Sequence, residues 1–67
     1  MKPLVIFGGS GHARVIIDAA RLTRNYDLVA VFAPDLKVGS AVGGVPVRDE
    51  DADLPVLLRE RPQLHHQ

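Results

Sequence analysis

Apolar and polar residues fall in blocks along this chain, and the blocks predict a β-α-β start. Leu4-Val5-Ile6-Phe7 is apolar throughout, with no polar alternation, the pattern of a strand buried on both faces as in a parallel sheet. Gly8, Gly9 and Gly11 then let the backbone turn sharply. From Ala13, apolar residues recur at Ile16, Ile17 and Ala20, with Val15, Ala19 and Leu22 widening the face; this is the spacing of a helix packed on a sheet. The opposite stripe, Arg14, Asp18 and Arg21, is spaced for ion pairs between neighbouring turns. Arg24-Asn25 closes the helix, and Tyr26 to Phe32 reads as a second strand. The intervening length accommodates one crossover helix, so the two strands should be parallel and the connection right-handed.

Ala33-Pro34-Asp35 ends the second strand, because proline removes a ladder donor. Leu36 to Gly44, with Gly39, Gly43 and Gly44, reads as a loop. Val45-Pro46-Val47 reads as a short edge strand, since Pro46 cannot donate to a ladder. Asp51 or Asp53 is the expected N-cap of a second helix carrying Leu54, Leu57 and Leu58, with Pro55 in its first turn. Pro62 should stop that helix, giving one domain over residues 1–62 and a frayed tail, including His65 and His66, over 63–67. The fold class is therefore α/β, a small parallel sheet in the order β-α-β-β-α. A further strand would normally flank the first, and the chain stops where it should start, leaving the edge of Leu4 to Phe7 open as a surface for self-association.

Composition narrows this picture. At 67 residues the chain is one domain at most, and such a domain buries only about 60% of the surface its unfolded form exposes. With 46% hydrophobic residues, no tryptophan and few aromatics, the core must be built from Ile, Leu, Val and Ala. The formal charge is zero, which removes any electrostatic reason to expect nucleic acid or an anionic membrane as partner. Most basic residues precede Asp49, and Asp49, Glu50, Asp51 and Asp53 cluster after it; that cluster reads as a solvated helix start, and no metal site is expected. The chain has no cysteine, which excludes disulfides and thiolate metal sites and suits a cytoplasmic protein. The first apolar run is too short for a signal-peptide core or a membrane span.

The candidate chemistry lies where the first strand meets the first helix. Ligands of parallel sheets bind outside the carboxyl ends of the strands, and here that rim carries Gly8 to His12, the loop after Phe32 and the loop after Val47. An anion at the helix N-terminus would meet the N–H groups around Ser10, Gly11 and His12. Arg14 either adjoins such an anion or pairs with Asp18 on the solvent face. His12 either lines the turn or contacts phosphate or sugar; general base is the remotest role. Asp35, behind Pro34, either binds ribose or a base edge or serves as a turn residue. Only two glycines of the dinucleotide motif G-x-G-x-x-G are present, because Arg14 holds the third position. A truncated NAD(P)-binding domain of an oxidoreductase thus remains an alternative, as does an oligomerisation fragment without ligand.

The run Leu4 to Val15, then Asp18, Val31-Phe32 and Gly44-Val45-Pro46-Val47, resembles the N-terminal domain of NeuD/PglD-type bacterial sugar acyltransferases, the sialic-acid O-acetyltransferase and bacillosamine-pathway N-acetyltransferase group. The resemblance covers essentially the whole chain. It implies a Rossmann-like domain that binds a UDP-sugar, with Ser10, Gly11 and His12 on the ligand and the residues after strand two near the uridine. The full site set expected is Gly8, Gly9, Ser10, Gly11, His12, Arg14, Pro34 and Asp35. In place of the family's frequent pair of aspartates, this chain has Pro34-Asp35, one carboxylate. The family's catalytic histidine, its acetyl-CoA site and its trimer contacts belong to a C-terminal left-handed β-helix. No hexapeptide repeat occurs here, so the resemblance implies substrate binding without catalytic residues, and no cofactor, in this chain.

Overall fold

The computed structural model describes residues 2–61 and 64–66. Strand β1 (Lys2–Phe7) leads through helix α1 (Ser10–Thr23) into β2 (Tyr26–Phe32). A small hairpin, β3 (Ala41–Val42) and β4 (Val45–Pro46), precedes helix α2 (Glu50–Glu60) and the two-residue β5 (His65–His66). The principal sheet has the order β2-β1-β5, and both pairings are parallel. The fold class expected from the sequence is the one observed.

Strand β1 starts two residues earlier than its apolar run, because Lys2 N–H donates to the Asn25 carbonyl at 2.9 Å. Leu4 stands opposite Leu28 but Val5 stands opposite Ala30, so Val29 is an extra residue on β2. The bulge places Val29 and Ala30 in the same cluster, whereas Leu28 and Val31 belong to the other. Two apolar layers result. Ile6, Val31 and Ala33 pack with Ala13 and Ile17 of α1 and with Val45 and Val47. On the other face, Val5, Ala30 and Phe32 pack with Leu54 and Leu57 of α2, and the Phe7 and Phe32 rings lie 5.4 Å apart.

The segment expected to be a loop up to Gly44 ends in the hairpin. Gly43 and Gly44 both have positive φ, 53° and 83°, the requirement of a two-residue turn that matches the twist of its strands. Beyond the hairpin, Val47 forms a parallel bridge with Val31, and Arg48 N–H donates to the Val31 carbonyl at 2.9 Å. The third strand segment therefore lies on the outer edge of β2.

Helix α2 begins earlier than expected. Its N-cap is Asp49, whose side chain accepts from Asp51 N–H at 3.3 Å, while Asp53 accepts from Asp49 N–H at 3.2 Å. Asp51 and Asp53 are thus inside the helix, and Pro55 falls in its second turn. Leu58, expected on the buried face, is 52% exposed. The helix ends at Glu60, with Arg61 as C-cap; Pro62, the expected stop, lies outside the described residues.

The edge of β1 expected to be open is partly covered. Leu64 packs on the cluster around Val5 and Phe32, and His65 and His66 pair with Leu4 and Val5. Leu4 and Val5 of β1 are therefore paired along the edge expected to be open. The two-residue β5 lies beside β1 and opposite β2, the position of the next strand in a doubly wound sheet.

Candidate functional site

Strands β1 and β2 end on the same rim, and Gly8 N–H donates to the Phe32 carbonyl at 3.1 Å. Gly8 then takes φ +135°, a conformation that L side chains rarely adopt. Gly9 follows as the N-cap of α1, extended at φ −72° and ψ 174°, and among the described residues no side chain caps the helix. The Gly9 carbonyl accepts from Ala13 N–H at 2.9 Å. The first-turn N–H groups of Ser10, Gly11 and His12 have no acceptor within the helix.

The two helix N-termini differ in charge. Helix α1 has no acidic residue in its first turn, whereas α2 carries Glu50, Asp51 and Asp53. The positive end of α2 is neutralised by its own side chains, and that of α1 is not. A Cβ built on Gly11 would meet nothing within 4 Å. At Gly11 the surface of α1 therefore faces open space, while His12 and Asp35 stand against Gly8 and Gly9.

His12 and Asp35 border this turn, and both are exposed. The His12 ring lies against Gly8, its Cδ2 2.7 Å from where a Cβ on Gly8 would stand. The Asp35 carboxylate reaches Gly9 from the loop after β2, with Oδ2 and Oδ1 3.2 and 3.6 Å from the corresponding point. Leu36 N–H donates to the Ala33 carbonyl at 3.1 Å and closes the turn that presents Asp35.

Beyond Asp35 the same rim opens into a groove of about 370 Å³. Pro34, Leu36 and Val38 line one side of it, and Arg48, Asp49 and Glu50 line the other. Its lining joins apolar side chains with carboxylates and one arginine, a mixture suited to a flat ring whose edge carries both hydrogen-bond donors and acceptors.

Of the residues expected at the site, Gly8, Gly9, Gly11, His12 and Asp35 come together, with Ser10 as the first residue of α1, and Pro34 faces the groove. Arg14 does not join them. Its Nε lies 3.8 Å from Asp18 Oδ1 across one exposed helical turn, and its Cδ lies 3.7 Å from the Cβ position of Gly43. Ala13, one residue before Arg14, is fully buried; it makes the close helix-to-sheet approach for which the dinucleotide motif uses its third glycine. The sequence placed the acidic side of the groove in the loop after Val47 and read its carboxylates as a solvated helix start. Among the described residues, no three His, Asp or Glu side chains are grouped to hold a metal ion, and no helix is long and apolar enough to cross a membrane.

A parallel β-α-β sheet with a glycine turn, an uncapped helix N-terminus and an adjoining groove at its carboxyl rim defines a small Rossmann-like ligand-binding domain. The profile of the PglD N-terminal domain matches residues 3–62. The chain belongs to that family, the nucleotide-sugar-binding part of PglD-type acetyltransferases. No curated protein matches the chain significantly, and no solved structure does.

Proposed function

We propose that this domain binds the UDP-sugar substrate of a bacterial sugar O- or N-acetyltransferase in the cytoplasm. The observation that carries the reading is the N-terminal turn of α1, which among the described residues has no side-chain cap and no acidic residue of its own. The diphosphate sits against the N–H groups of Ser10, Gly11 and His12, where the helix dipole favours negative charge. The uridine extends past Asp35 into the groove beside Pro34, where carboxylates accept from ribose hydroxyls and the imide N–H. Phosphates avoid that groove because Asp49, Glu50 and Asp51 line it.

This chain's contribution is to hold and orient. Acetyl transfer joins the sugar nitrogen or oxygen to the acetyl carbonyl and releases the thiol of coenzyme A, while a proton leaves the amine or hydroxyl. The residues for that step, and the acetyl-CoA, belong to another part of such an enzyme, the trimeric β-helix. Calorimetric titration of the purified chain with UDP and, in parallel, with NAD tests the reading. UDP should bind more tightly, with affinity falling as salt rises. Tighter binding of NAD, or no salt-sensitive binding of UDP, would overturn it.

A further inference from the structure

We propose that the outer face of α1 is a self-association surface, on which a second copy of this chain docks its own α1 in antiparallel orientation about a twofold axis. The helix buries Ala13, Ile17 and Ala20 against the sheet, and a helix covered on one side ordinarily turns a polar face outward. Here Val15 and Leu22 are 67% and 85% exposed, and Ala19 is exposed between them. The spacing i, i+4, i+7 makes these three residues one stripe. Ile16, Ala19 and Thr23 carry it into an apolar cavity of about 230 Å³ shared with Leu4 and Tyr26. On α2, by contrast, the exposed Val56 and Leu58 are two positions apart and fall on different faces.

The stripe is complementary to itself. A twofold axis passing between the levels of Asp18 and Ala19, perpendicular to the helix, sets Val15 of each copy opposite Leu22 of the other, as an isologous contact requires. The two Ala19 side chains meet at the axis, and their small size lets the helices approach to about 8–10 Å. Charge follows the same symmetry. Arg14, Asp18 and Arg21 run along one flank of the stripe, and the twofold brings Asp18 of each copy alongside Arg21 of the other. Asp18 already pairs with Arg14 of its own chain at 3.8 Å, whereas Arg21 is exposed and has no ion-pair partner among the described residues. The formal charge of zero lets two copies meet without net repulsion. One helix face is smaller than the roughly 800 Å² per partner of a standard interface, so the dimer is a weak one. Ser10, Gly11 and His12 lie beyond the contact.

The test is sedimentation equilibrium of the whole chain up to about 1 mM, where a contact of this kind should populate a dimer, with circular dichroism to verify that each variant folds. Leu22→Glu should weaken association at least about tenfold, because the twofold makes each loss count twice; the exposure of Leu22 leaves the fold intact. Leu58→Glu, on α2 beside the edge of β1, should leave association unchanged. Asp18→Arg should weaken it about three- to tenfold, and adding Arg21→Asp should restore it. A monomer at every concentration would overturn the proposal and leave the stripe to a different protein. A dimer that Leu58→Glu breaks and Leu22→Glu does not would overturn it in favour of the β1 edge. Failure of the charge exchange to restore association would overturn the antiparallel twofold arrangement.

Discussion

The imidazole of His12 lies on the backbone of Gly8, with Cδ2 2.7 Å from where a Cβ at position 8 would stand. Two constraints therefore act on Gly8: a φ of +135° and a ring above it. Gly8→Ala should destabilise the fold by about 1–3 kcal/mol through the backbone conformation, with an added contact term because the ring must move. Combining it with His12→Ala separates the two. The double variant should recover the contact term and retain the backbone cost, measured as the coupling in a denaturant-unfolding cycle. Full recovery in the double variant would show that the ring, and not φ, restricts the position.

Gly11 presents the opposite case. Nothing stands within 4 Å of a Cβ built there, and the residue is inside α1, so Gly11→Ala should stabilise the domain by up to about 1 kcal/mol. The new methyl would project into the space assigned to the diphosphate, and UDP affinity should fall at least about tenfold through lost backbone approach. A variant that is more stable and binds less separates ligand contact from folding in a single protein. Unchanged affinity would place the diphosphate elsewhere.

How far these features were legible depended on the range of the interactions behind them. Strand β2 runs from Tyr26 to Phe32, as its apolar block between Asn25 and Pro34 predicts, because burial on both faces leaves a continuous local signal. The pairing of Arg14 with Asp18 was one of two readings open from helical spacing. Helix α2 has three aspartates that satisfy the capping rule at its start. Asp49 takes the position because the Val31–Val47 bridge determines where the chain leaves the sheet, which no local rule contains. Strands β3 and β5 have two residues each, too few for any periodicity, although Gly43-Gly44 carried the turn signal. The approach of Asp35 to Gly9 spans two connections of the fold; the rim rule indicated its neighbourhood and not its contact.

Pro55 is the least explained residue of α2, and it offers a test of what holds that helix. No residue of α2 is buried, so its stability depends on the Asp49 cap, on propensity and on the partial cover that Leu54 and Leu57 give to the sheet. Pro55 lies five residues after the first helical position and has no N–H for the carbonyl of Asp51, while its ring crowds that carbonyl. Pro55→Ala should restore the bond and raise stability by about 1–3 kcal/mol. For a domain of this size each kcal/mol moves the midpoint by roughly 4–8 °C, so thermal unfolding should show a clear rise, and the amides of α2 should exchange more slowly with solvent. An unchanged or lower midpoint would mean that the proline ring stabilises the helix by packing, and that the missing bond to Asp51 costs little because water satisfies the exposed carbonyl.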